Sequence, residues 1–147
     1  MTSSGNCHFL TVSELSKLIR DRDVSPVELA KAYLDQAEQL NPHVNAFITI
    51  TGPQFLASAR RAEQEIGHSE YRGPLHGIPV ALKDLFWTSG VATTSGSIID
   101  ANFVPSQDAA VVEKLIDSGT CLIGKTNMCE FAFDPTGQNA HYGWPKN

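Results

Sequence analysis

A single lysine closes a short apolar run within Gly73 to Ser97, GPLHGIPVALKDLFWTSGVATTSGS. Lys83 follows Val80, Ala81 and Leu82 and precedes Leu85, Phe86 and Trp87, neighbours able to exclude water from an ammonium group. Desolvation disfavours the charged form, so a buried lysine can act as a neutral base near physiological pH. The competing reading is a solvated strand end, which composition alone favours. A base also needs a nucleophile, and no GxSxG elbow or SxxK motif accompanies Lys83.

A second lysine lies in Gly119 to Thr126, GTCLIGKT, which satisfies the phosphate-loop pattern G-x-x-x-x-G-K-[ST]. Such a loop follows a strand and has loop residues inside the motif. Here a helical pattern precedes Gly119, and Thr-Cys-Leu-Ile reads as a strand, so the match is accidental. Cys129 and His141 could form a nucleophile and base only if the fold brought them together, and a small apolar filler is the plainer reading of the cysteine. The five histidines show no HxxxH or HxH spacing, so no metal site is expected.

Helices and strands must position these groups. Thr11-Val12-Ser13-Glu14 and Ser25-Pro26-Val27-Glu28 are capping boxes, each opening a helix with an apolar stripe. In the first helix the stripe is Leu15, Leu18 and Ile19. In the second it is Leu29, Tyr33, Ala37 and Leu40, and Asn41-Pro42 is expected to end the helix. Ala46 to Ile50 reads as a strand. A third helix from about Pro53 buries Phe55, Ala59, Ala62 and Ile66, with Gly67 as its cap. Ile78 to Leu82 reads as a mostly buried strand with Lys83-Asp84 at its carboxyl end, where open α/β sheets build sites. Ala92 to Ser97 is a small, hydroxyl-rich loop. Asp108 is the expected N-cap of a fourth helix that turns Val111, Val112, Leu115 and Ile116 inward. Thr120 to Ile123 is a third strand, and a short helical turn is expected around Asn127 to Phe131. The alternation of elements predicts an α/β fold.

The totals agree with one domain of ordinary size. The chain has 147 residues, 41% of them hydrophobic and 18% charged, with a net charge of −5. Nothing resembles the clustered basic footprint of a nucleic-acid binder. Three cysteines without a CxxC pair suggest reduced thiols. The start MTSSGNCHFL has no secretory pattern, and no apolar run approaches the ~20 residues of a membrane helix. A soluble, cytoplasmic protein is expected.

Taken in order, the motifs resemble the amidase signature family. GPLHGIPVALKD is similar to that family's lysine motif and VATTSGS to the segment after it. DAAVVEKLIDSGTCLIGKTNMCEFAF resembles the next helix, strand and loop, and GQNAHYGWPKN the approach to a serine-rich motif. The resemblance implies α/β/α layers around a mixed sheet, incomplete in this chain. Residues 1–10 would be an N-terminal tail, and 11–147 the N-terminal part of a single amidase-like domain.

It also implies hydrolysis of a carboxamide C–N bond by a serine nucleophile, a second serine on a cis peptide and a lysine, without a cofactor. Lys83 matches the lysine, and Met128 could line the substrate cavity, although a core role is the plainer reading of a methionine. Ser95 and Ser97 match the TTxGS segment rather than the nucleophile. Asp134 stands where the resemblance expects glycine. The Gly/Ser-rich motif carrying both serines is not within these residues, so the isolated chain is expected to be an inactive, truncated portion of an amidase. The alternatives are a non-catalytic interaction fragment and the amidase subunit of a tRNA-dependent amidotransferase. The expected ligand is a small-molecule amide, with no direct nucleic-acid contact and no membrane; the oligomeric state stays open.

Overall fold

Both capping boxes form as their spacing requires. In the computed structural model, which describes residues 4–146, Thr11 opens α1 (Val12–Arg20) and Ser25 opens α2 (Pro26–Val44), each with its reciprocal glutamate, Glu14 or Glu28. The remaining elements are β1 (Phe47–Ile50), α3 (Gly52–Gly67), β2 (Pro79–Lys83), α4 (Ala110–Asp117) and β3 (Cys121–Thr126). Short 3₁₀ turns cover Ser4–Phe9 and Glu130–Ala132.

The fold is mixed α/β. Its sheet has three strands in the order β1-β3-β2, with β1 antiparallel and β2 parallel to β3. Helices α2 and α3 cover one face. Phe55, Ala59 and Ala62 of α3 pack with Leu34 of α2 and with Cys121 and Ile123 of β3. A second cluster joins Leu15 and Ile19 of α1 to Leu29, Ile66 and Ile78. Cys7 belongs to that cluster and its carbonyl accepts a hydrogen bond from the Tyr33 hydroxyl, so this part of the expected tail is packed on the helices. Among the described residues, no helix is long and apolar enough to cross a membrane.

Several boundaries differ from expectation for identifiable reasons. Helix α2 continues through Pro42 and ends at Asn45, whose left-handed backbone closes the last turn. Asn41 does not stop the helix; its side chain exchanges two hydrogen bonds with the main chain of Phe47 and so fixes the start of β1. Leu40, expected inside, is 45% exposed and lines an apolar groove of about 350 Å³ between α2 and the sheet. Gly67 is the last residue of α3 rather than its cap; Ser69 takes the left-handed position. Asp108 does not cap α4, because its carboxylate accepts from the Ser89 amide at 2.7 Å, and Ala109 stands at the N-cap instead. Val111 is exposed and Val112 alone in α4 is fully buried. The expected strand β2 is confirmed in place, but Ala81 and Lys83 are exposed and only Leu82 is buried.

The largest shift is in β3, which runs on through Gly124-Lys125-Thr126. At Gly124 β1 leaves no room for a side chain: a Cβ there would lie 2.3 Å from the Thr49 carbonyl oxygen. One residue earlier the β2–β3 ladder slips. Val80 pairs with Leu122 but Ala81 pairs with Gly124, leaving Ile123 as an extra residue. Such a bulge reverses the facing of everything after it. Lys125 therefore shares a face with its partner Leu82, opposite the face that buries Cys121 and Ile123 against α2 and α3.

Candidate active site

Alternation along β2 sends Lys83 to one side of the sheet and Leu82 and Asp84 to the other. Lys83 is exposed and lines an open cleft of about 470 Å³. Met128, just beyond β3, lines the same cleft, with Asn127, Cys129, Phe133 and Asp134. The two residues singled out from the sequence are thus brought together, although Met128 is almost fully buried. In this chain Lys83 is the solvated strand end that composition favours, and its apolar neighbours do not exclude water from the amine. Trp87 is half exposed and packs edge-on against Phe103, with ring centres 5.3 Å apart, rather than over the amine.

The buried lysine is Lys125. Its ammonium donates to the Phe86 carbonyl and to Thr93 Oγ1, both at 2.8 Å, and lies 3.4 Å from Asp84 Oδ1. Both charged side chains are fully removed from solvent. Burial pulls the Lys125 pKa below the usual lysine value, and the Asp84 charge opposes that shift. Asp84 Oδ2 accepts from the Thr94 amide at 3.0 Å and the Thr94 hydroxyl at 2.5 Å, while its carbonyl accepts from the Ser95 amide. In the phosphate-loop pattern the lysine would face a nest of amides. Here it is fixed in a strand and spent on protein oxygens, which agrees with an accidental match.

The 93–97 loop is held from both sides. Gly96 has φ +67°, and a Cβ there would come within 2.9 Å of the Met128 carbonyl and of Asn139 Nδ2. Asn139 is buried; its amide donates to the carbonyls of Gly96 and Met128, both at 2.7 Å, and its Oδ1 accepts from the His141 and Tyr142 amides. This asparagine stitches three loops together. Nothing in its sequence neighbourhood signals that role, apart from a polar residue among glycines. Ser97 Oγ donates to Glu130 Oε1 at 2.6 Å, while Ser95 is held through its main chain, its amide donating to the Asp84 carbonyl and its carbonyl accepting from the Phe131 amide. Neither serine is placed as a nucleophile.

Cys129 and His141 are not paired. The Cys129 thiol donates to the Asp134 carbonyl and accepts from its amide, and His141 approaches Glu130 at 3.5 Å. Asp134 itself is not among the residues with left-handed φ, so no glycine is required there; Phe131 and Ala132 carry that conformation instead. The arrangement offers one solvent-facing amine beside a small cleft, backed by a dry ion pair. The amine can donate hydrogen bonds to a polar group seated in the cleft.

The chain is similar to known proteins in sequence and in fold. A family model described as Amidase matches residues 28–147. The chain is 49% identical over 137 residues to a glutamyl-tRNA(Gln) amidotransferase subunit from Azoarcus sp., covering 93% of this chain and 28% of that protein. Its structure resembles that of the peptide amidase from Stenotrophomonas maltophilia, with a TM-score of 0.87, 31% identity, and coverage of 95% of this chain and 30% of the other. Fatty acid amide hydrolase shares the fold, with a TM-score of 0.91 at 23% identity. The chain spans about three tenths of the length of such relatives.

Proposed function

The chain belongs to the Amidase family, and on that premise we propose that it supplies Lys83 as the proton acceptor of an amide-hydrolysing site whose two serines lie outside these 147 residues. The supporting observation is the position of Lys83 at the carboxyl end of β2, exposed on a cleft that also contains Met128. In this reading the neutral amine takes a proton from a bridging serine, which deprotonates the nucleophilic serine. The nucleophile attacks the carboxamide carbon, the amine or ammonia leaves with a proton, and water releases the acid. A lysine works as a base where its charged form is disfavoured, and covering the cleft would do that for Lys83 by burying the amine. Met128 would then form part of the substrate wall. The chain alone hydrolyses no amide.

The test replaces the matching segment of the Azoarcus protein with this chain. Amide hydrolysis is expected from the chimera and not from the 147-residue chain, and Lys83→Met in the chimera should lower kcat by roughly 10² to 10⁴-fold, the range of a lost general base. A folded, active chimera indifferent to that substitution would sink the assignment. Turnover by the short chain that disappears with Lys83→Ala would overturn its inactivity.

A second reading has one observation in its favour. Identity to the amidotransferase subunit, 49%, exceeds the 31% to the peptide amidase. We propose it as the narrower form of the same function, with protein partners handling any tRNA.

A further inference from the structure

Lys125 is the residue that the phosphate-loop pattern singled out and the proposed chemistry leaves unused. Its surroundings are unusual for a strand lysine. The ammonium is fully buried, contacts Asp84, and has its other two partners, the Phe86 carbonyl and Thr93 Oγ1, in the segment that leaves β2. Asp84 in turn holds the amide and hydroxyl of Thr94 through its carboxylate and the amide of Ser95 through its carbonyl. Every partner of the pair therefore belongs either to the end of β2 or to the loop that folds back over it. None belongs to the helices.

Asp84 is also the residue directly after Lys83. Strand alternation puts the two side chains on opposite faces, so the ion pair grips the backbone of β2 from behind the cleft. The bulge at Ile123 is what makes this possible, because without it Lys125 would face α2 and α3 with Cys121. A buried ion pair is a poor source of net stability compared with apolar side chains of the same volume, whereas one that fixes a particular arrangement serves specificity. We infer that Asp84 and Lys125 are positioning residues for Lys83, locking the carboxyl end of β2 to the 93–97 loop so that the amine is presented at one fixed place in the cleft.

The inference rests on the amidase reading only for the choice of Lys83 as the amine that matters, and it needs no turnover for its test. Two readouts are taken on the 147-residue chain. One is hydrogen exchange at the amides of Thr94 and Ser95, which report the lock. The other is the rate and pH profile of acetylation at Lys83 under limiting reagent, with exposed Lys17 and Lys31 as internal references. Asp134 and Cys129 are the titratable groups that share the cleft with Lys83, and both stay unchanged in all variants.

Removing one charge can unfold the chain by leaving the other buried and alone, so the working variants are neutral. Asp84→Asn combined with Lys125→Met, and Thr93→Val, are expected to speed exchange at Thr94 and Ser95 at least tenfold. Both should alter Lys83 acetylation at least threefold relative to Lys17 and Lys31. Thr93→Ser keeps the acceptor oxygen and should restore both readouts. Neutral variants that fold and leave Lys83 acetylation at the parent profile would overturn the inference. So would a change at all three lysines alike, which marks a general loss of structure, or a Thr93→Ser variant no better than Thr93→Val. None of these results depends on whether an amide is hydrolysed, so the amidase reading stands or falls separately.

Discussion

At the residue scale, two lysines of the same sheet stand in opposite environments. Lys83, flanked by apolar residues, is exposed; Lys125, within a motif that elsewhere meets phosphate, is buried and paired. A further buried ionisable group, His76, carries a pH signature. Its Nδ1 accepts from the Arg72 amide at 3.1 Å, so the ring is neutral in this arrangement. Glu65 Oε2 lies 3.0 Å from Nε2, an attractive contact but one poorly aligned for a hydrogen bond. Burial lowers the His76 pKa, with Glu65 opposing the shift and Arg72 and Arg61 adding to it. The unfolded histidine therefore binds a proton at a higher pH than the folded one. Stability should rise with pH across the interval just below the ordinary value of 6.5 and be lost as pH falls through it. Chemical denaturation between pH 5 and 7.5, with His76→Gln as control, checks this. A parent slope no steeper than the control's would count against it.

At the element scale, the contacts that set β3 are visible only in three dimensions. The Gly124→Ala variant should lose roughly 3 kcal/mol, the upper part of the range for overpacking, because the new methyl meets the Thr49 carbonyl rather than a movable side chain. Gly67→Ala has open space around it and should gain up to about 1 kcal/mol from helix propensity. Urea midpoints moving in opposite directions would bear out both; equal shifts would contradict the clash. Helix starts and stripes were legible because capping and 3.6-residue periodicity are local, as at Thr11, Ser25 and the Phe55–Ile66 stripe. Asp108 misled because a good N-cap residue serves equally well as an acceptor for a distant amide, here that of Ser89. The bulge at Ile123 left no local mark, and with it the facing of Lys125 was hidden. The ordered motifs pointed to Lys83 and Met128, which line one cleft, but not to Asn139, which ties the Gly96 and Met128 carbonyls together.

At the scale of the whole molecule, the sheet has a centre and two open sides. Only β3 has a neighbour on each side; β1 and β2 each offer an unpaired edge among the described residues. The groove beside α2 adds apolar surface from Leu40, Phe47, Ala81 and Ile123 next to that edge. Unpaired strand edges next to apolar surface favour strand-to-strand association. Amide exchange should accordingly be slowest in β3 and faster in β1 and β2, and light scattering should give an apparent mass that rises with concentration. Ala81 is exposed on β2, so Ala81→Lys places a charge at the edge without disturbing the buried Leu82. That variant should reduce association while leaving the denaturation midpoint nearly unchanged, because a solvated lysine on an edge strand obstructs pairing rather than folding. A parent chain that stays monomeric at all concentrations, with β1 and β2 protected as well as β3, would mean that the two edges are covered by something other than sheet pairing.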